Sequence, residues 1–190
     1  MKLAIFFGVI AVIGLYFVTL YNALVSLKHE VSKSWSNIDV VLKQRHDELP
    51  KLVEVCKQYA QFEQATLARV MEARSAVAQH AQNRNMEGLG REESKLRGLL
   101  GQVFAVAEAY PELKADEQFS HLSSRISQLE ETIADRRELY NEAVNNNNVR
   151  IEQFPDVLIA RMFGFPTARA LQFSTEEKRD VDMQALFRQS

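Results

Sequence analysis

No charged residue occurs from Leu3 to Leu20, and apolar character persists to Val25. As a helix, residues 3–25 reach about 34 Å at 1.5 Å per residue, against about 30 Å of hydrocarbon in a bilayer. The pattern predicts a transmembrane anchor over 3–25, tilted to fit, with Tyr16 and Tyr21 near an interface. A cleaved signal peptide is the rival reading. It needs a shorter apolar run and a small-x-small site, and Tyr21-Asn22-Ala23-Leu24-Val25 offers none. The anchor is therefore expected to stay on the chain. Lys2 precedes the run, and Lys28, Lys33, Lys43 and Arg45 follow it, so the basic count leans towards a cytoplasmic C-terminal part.

Beyond the anchor, apolar residues recur at steps of three and four between prolines 50, 111, 155 and 166. Leu24, Leu27, Val31, Trp35, Ile38 and Leu42 form one stripe on a helix that continues from the membrane. That helix is expected to end near Arg45 to Asp47. Asp47 would cap the next one, with Pro50 in its first turn. A second stripe carries Leu52, Cys56, Tyr59, Glu63, Leu67, Val70 and Val77 and frays from Gln79 to Gly90. A third carries Leu96, Leu99, Val103, Val106 and Tyr110. Asp116 then caps a fourth, with Phe119, Leu122, Ile126, Leu129, Ile133, Tyr140 and Val144, reaching towards Phe154. No alternating strand pattern and no internal repeat interrupts this. The fold class is all-α: an N-terminal transmembrane helix continuing into an antiparallel up-and-down four-helix bundle. The domains are the anchor (3–25), the bundle (26–163) and a charged tail (164–190), either mobile or docked.

Composition narrows the function classes. The 23 Lys+Arg against 25 Asp+Glu give a net charge of -2, which argues against a nucleic-acid binder. The single cysteine, Cys56, permits neither an internal disulfide nor a thiolate metal cluster and reads as a small core residue. The residues three before His29, His46, His80 and His121 are Ser26, Lys43, Val77 and Gln118, so the Glu-x-x-His pairs of a di-iron bundle are missing. Lys33 stands where a zincin would need its second histidine. Gly88-Leu89-Gly90 continues to Glu93 and reads as a turn, not a dinucleotide loop. His46 beside Asp47 reads as polarity at a helix end. No cofactor, metal or catalytic residue is expected.

Two features invite an interaction reading. Gly98 and Gly101 interrupt a helical segment, where small residues admit a second helix or are simply tolerated. Arg136, Arg137, Tyr140 and Asn141 form a polar ridge on the fourth helix, followed by four asparagines from Asn145 to Asn148, which read either as surface fraying or as a ridge satisfied by neighbours. Glu108 lies near the turn at Pro111, and Arg136 lies about 30 Å along the next helix, so the two should not meet. One arginine of the pair is expected to be buried against Asp47, Glu54 or Glu63, and the other to face a partner.

The chain resembles the LemA family from its anchor to about Phe165. The resemblance rests on ordered pieces: Tyr21-Asn22-x-Leu24-Val25, Trp35-Ser36-x-Ile38-Asp39-Val40, and Leu42-Lys43-x-Arg45-His46-Asp47-x-x-Pro50. It continues through Leu52-Val53-Glu54, Tyr59, Ala73-Arg74, and the run from Ala105 through Glu108 and Tyr110 to Ala115. The last pieces are Arg136-Arg137-x-x-Tyr140-Asn141-x-Ala143-Val144, Ile151-Glu152-x-Phe154-Pro155 and Phe163-Gly164-Phe165. The resemblance implies a bacterial membrane protein with a helical bundle, no known enzymatic activity, an unsettled molecular role and a suggested association with membrane protein quality control.

Together these readings predict a non-enzymatic, membrane-anchored helical scaffold or adaptor in the bacterial inner membrane. Its expected partners are the bilayer and either a second copy or another membrane protein. The alternative is an enzyme or metal-binding bundle with an unrecognised polar site. The structural or interaction residues expected to matter are Trp35, Asp47, Glu54, Glu108, Tyr110, Arg136, Arg137, Tyr140 and Asn141. The inward stripe of the fourth helix is open to test. Leu129→Asp or Ile133→Asp places an unpaired carboxylate among apolar side chains and should cost several kcal/mol, comparable with the stability of a whole domain. Thermal unfolding followed by circular dichroism should show either variant largely unfolded. An unchanged melting temperature would place the stripe on the outside.

Overall fold

The computed structural model describes residues 1–59 and 63–172. Among the described residues the chain is helical, without strands: α1 (Lys2–Lys57), α2 (Gln64–Gln82), α3 (Met86–Ala107), α4 (Pro111–Lys114), α5 (Glu117–Glu152) and α6 (Asp156–Phe163). The all-α architecture expected from periodicity is present, with one long apolar N-terminal helix followed by further helices. The chain divides into two compact units. Of the described residues, one comprises 1–39 and 134–170, the other 40–59, 63–133 and 171–172. Helices α1 and α5 contribute to both.

In the second unit, stretches of α1, α2, α3 and α5 bury their stripes against each other. Leu42, Leu49 and Leu52 of α1, Leu67 and Val70 of α2, Leu96 and Leu100 of α3, and Ile126 and Ile133 of α5 are all buried. Periodicity located all of these but Leu49 and Leu100, because burial at a helical repeat is what drives the packing. Cys56 is buried among them, and loss of solvation pushes its thiol up to about 11, as befits a core residue. Asp116 caps α5 as expected: its Oδ1 accepts the Phe119 N–H at 2.9 Å, and its Oδ2 accepts the Tyr59 hydroxyl at 3.0 Å.

Helix boundaries differ from expectation in three places. The stripe expected on one second helix from Leu52 to Val77 is divided between the end of α1, at Lys57, and α2, which starts at Gln64. Helix α1 does not end at Asp47 but runs through Pro50 to Lys57, so Asp47 is an exposed residue of the helix interior and caps nothing. Gly88-Leu89-Gly90 is not a turn but part of the first turns of α3, capped by Asn85, whose side chain accepts the Gly88 N–H at 3.1 Å. Glycine at 88 has a steric reason: an added Cβ would lie 2.4 Å from the His80 ring, which packs there from α2. Gly98 and Gly101, by contrast, have nothing within 4 Å, so among the described residues no helix approaches them.

In the first unit, α6 packs on α1. Leu20 and Leu24 meet Ile151, Ile159 and Ala160 in a small core, with Phe165 against it. Gly164, with φ 67, takes the left-handed conformation that ends α6, and the Phe165 N–H returns to the Ala160 carbonyl at 2.9 Å. The chain then runs back along α5 as an extended strap. Three α5 side chains hold it. The Tyr140 hydroxyl donates to the Arg169 carbonyl at 2.8 Å. The Asn148 amide brackets Ala168, donating to its carbonyl at 2.9 Å and accepting its N–H at 2.8 Å. Asn147, buried, donates to the Pro166 carbonyl at 3.5 Å. Of the two readings of the asparagine run, satisfaction by neighbours describes Asn147 and Asn148. The start of the expected tail is thus docked, and residues 173–190 lie outside the described residues.

Asn148→Ala removes both bonds to Ala168 and should cost about 1–3 kcal/mol. Hydrogen exchange would read it: the Ala168 amide should lose protection while core amides of α5 keep theirs. Unaltered protection at Ala168 would show that Asn148 does not hold the strap.

Candidate functional site

The polar centre of the second unit is a buried ion triad that sequence reasoning did not single out. Arg45 of α1 is 1% exposed. Its Nη2 donates to Glu93 Oε1 of α3 at 2.5 Å and its Nη1 to Glu130 Oε1 of α5 at 2.6 Å. Glu93 is 3% exposed and Glu130 16%. Burial alone would penalise the Arg45 charge, but attraction and hydrogen bonds from Glu93 and Glu130 outweigh it and raise the guanidinium pKa above its ordinary value. The planar fork presents separate N–H groups in fixed directions to carboxylates on two helices, where a lysine would offer one compact ammonium. Removing one partner of such a group costs about 3–5 kcal/mol, because the others stay buried and uncompensated.

The next residue of α1 makes the second polar contact. Pro50 has no N–H, so the His46 carbonyl, four residues back, loses its intrahelical donor. The Arg74 Nε of α2 donates to that carbonyl at 2.7 Å. The side chain of a neighbouring helix thus replaces the backbone donor that proline removes, and α1 passes the proline intact. Burial, together with the Arg74 charge, lowers the His46 pKa below its ordinary value. His46 is a half-buried ring in the middle of a helix rather than polarity at its end.

The residues expected from the sequence lie apart from this centre. Trp35 and Tyr140 are buried in the first unit and meet edge to face, with ring centroids 5.9 Å apart. Glu108 pairs with Lys114 across the α3–α4 turn, both exposed, and Tyr110 stands at the N-terminus of α4. Arg136 is exposed, while Arg137 and Asn141 are half-buried. Neither Arg136 nor Arg137 is the buried arginine; that position belongs to Arg45. Asp47 and Glu54 are both exposed. Glu54 lines a surface cleft of about 730 Å³ with Glu48, Lys51, Glu117 and His121. The missed signal was spacing. Arg45 falls on the α1 stripe, three after Leu42 and four before Leu49, once the helix is allowed to pass Pro50. Glu93 likewise sits between Leu89 and Leu96 on the buried face of α3. No group of three or more His, Cys, Asp or Glu side chains is placed to hold a metal among the described residues.

Among the described residues, α1 is the one helix long and apolar enough to cross a membrane. Such a helix, followed by further helices that bury ion pairs between them, defines a helical protein with one candidate membrane span. The particular group follows from sequence comparison: the LemA family model matches residues 34–184, and the chain belongs to the LemA family. That match extends past Phe165, where the recognisable motifs stop.

Among its relatives, magnetosome protein MamQ 2 of Paramagnetospirillum magneticum is 23% identical across 80% of this chain. Magnetosome protein MamQ of Magnetospirillum gryphiswaldense is 21% identical across 76% of it. Protein LemA of Metamycoplasma hominis is 27% identical across 87% of this chain and 74% of its own length. The chain spans 64% and 62% of the length of those two magnetosome relatives.

The proline contact generates a double-mutant test. Arg74→Ala leaves the His46 carbonyl without a donor, whereas in a Pro50→Ala background the restored N–H supplies one. The cost of Arg74→Ala, measured by urea unfolding in detergent, should therefore fall by about 1 kcal/mol in that background. Equal costs in both backgrounds would mean that Arg74 does not act through this carbonyl.

Proposed function

We propose that the protein is a non-enzymatic scaffold or adaptor, held at a bacterial inner membrane by the N-terminal part of α1 and acting by binding a second copy or another membrane protein. The carrying observation is that the two Arg45 Nη groups and the asparagine amides of the strap find their partners on the protein itself, while Arg45 Nε and His46 Nδ1 are buried without one. Arg45 is engaged by Glu93 and Glu130, and Asn147 and Asn148 by the backbone of the strap. These groups hold helices and strap in place, which leaves exposed groups to meet partners. Arg136 and the cleft around Glu54 are the surfaces such a partner would meet.

The basic residues after the anchor favour a cytoplasmic position for the bundle. A membrane protein partner fits a role in membrane protein quality control, as the family resemblance suggests.

Photo-crosslinking residues placed at Glu54 and Arg136 in native membranes test this reading. Adducts to the same chain or to a resident membrane protein are expected at one site or both. Loss of those adducts on charge reversal beside the label would tie them to the surface. Monomeric chain without adducts at either site, together with an activity lost on changing a single polar residue, would replace the scaffold with the enzyme.

A further inference from the structure

Helix α6 is amphipathic in a way that the core alone does not use. Ile159 and Ala160 face α1 and are buried. Leu158, Met162 and Phe163 are 59%, 61% and 52% exposed, and Phe154, just before the helix, is 80% exposed. Four large apolar side chains on one short segment form a surface that water does not favour. What that segment packs against says what covers it. Phe163 meets Tyr21 at 4.9 Å and Phe17 at 6.3 Å between ring centroids, and Phe165 meets Tyr21 at 5.8 Å. Leu20 and Leu24 lie beneath α6. All four α1 residues belong to the charge-free run that ends at Val25, and Phe17 lies about 12 Å inside that end at 1.5 Å per residue. If the run spans the bilayer, the ring of Phe163 lies at the depth of lipid.

We propose that α6, with Phe154, is a second membrane-contact element that inserts into the bilayer beside the transmembrane part of α1. This rests on the anchor reading above. Leu158, Met162 and Phe163 continue the lipid-facing surface already presented by Phe6, Ile10 and Ile13 of α1, which are exposed in the same manner. Arg161, exposed on the same helix, does not oppose this, because an arginine stem is long enough to lie along apolar surface while its charge stays among the headgroups. Asp156, at the start of α6, is kept from lipid by burial and by Arg150, whose Nε donates to its Oδ1 at 2.9 Å. The strap bracketed by Asn148 and Tyr140 fixes the exit of α6, so the helix meets the bilayer as a held element rather than a floating one.

The test uses the full chain with Cys56→Ala in vesicles of phosphatidylcholine and phosphatidylglycerol. A nitroxide label is placed in turn at Leu158→Cys, Met162→Cys, Val12→Cys and Glu138→Cys. Collisions with oxygen, which partitions into lipid, are compared with collisions with a nickel chelate, which stays in water. Labels at 158 and 162 are expected to favour oxygen several-fold, as the label at 12 does, while the label at 138 favours the chelate. If 12 reads as lipid but 158 and 162 read as water, α6 does not insert and the anchor reading survives. Labels at 158 and 162 shielded from both reagents would mean that protein covers the surface, which overturns the proposal in favour of a second copy or a partner helix. A water-like label at 12 would remove the anchor and this inference together.

Discussion

One guanidinium decides how the second unit is assembled. Apolar stripes on α1, α3 and α5 drive these helices together, but such stripes tolerate sliding, because leucine against leucine is nearly as good one turn along. The Arg45 fork does not tolerate it. Its two N–H groups meet carboxylates on two other helices, and a shift by a turn in either would leave a buried charge without its partner. Hydrophobic burial thus supplies the drive and the triad selects the register. Replacing all three residues with apolar ones of similar volume could leave the stability unchanged, so the contribution lies in the choice of arrangement rather than its depth.

The same logic explains why α1 passes through Pro50. A helix that ended at Asp47 would carry Arg45 in its last turn, where a frayed backbone places a side chain loosely. Continuing to Lys57 puts the arginine in the helix interior with Leu42 and Leu49 packed on either side. The proline rule is local, and its exception is not. The donor that makes the exception is Arg74, on a different helix. Nothing in the residues around Pro50 announces it.

That contrast sets how much of the molecule was legible beforehand. The stripes were, because burial repeats with the helix: Leu129, Ile133, Tyr140 and Val144 are buried as their spacing requires. The cap at Asp116 was also legible, since a capping side chain and its target lie three residues apart. Interactions that join distant parts of the chain were not. Reading Arg136 and Arg137 as the important pair followed from two adjacent charges being conspicuous, whereas Arg45, alone on an apolar stripe, was the arginine that had to find partners. The asparagine run was ambiguous for the same reason, because its acceptors lie about twenty residues further on, beyond any periodic signal.

Asn148 holds its strap by reading a peptide group and no side chain. Its carboxamide faces the N–H and C=O of residue 168 as a neighbouring β-strand residue would. Every amino acid except proline presents that pair, so those two bonds place almost no demand on the identity of residue 168. The demand falls on position 148 instead. Aspartate has no N–H to give, and glutamine carries its amide one carbon further out. The instruction that places the strap is therefore written in the helix, and the strap itself is free to drift. In a set of related chains the docked segment would be found by an asparagine that stays while the residues it grips change.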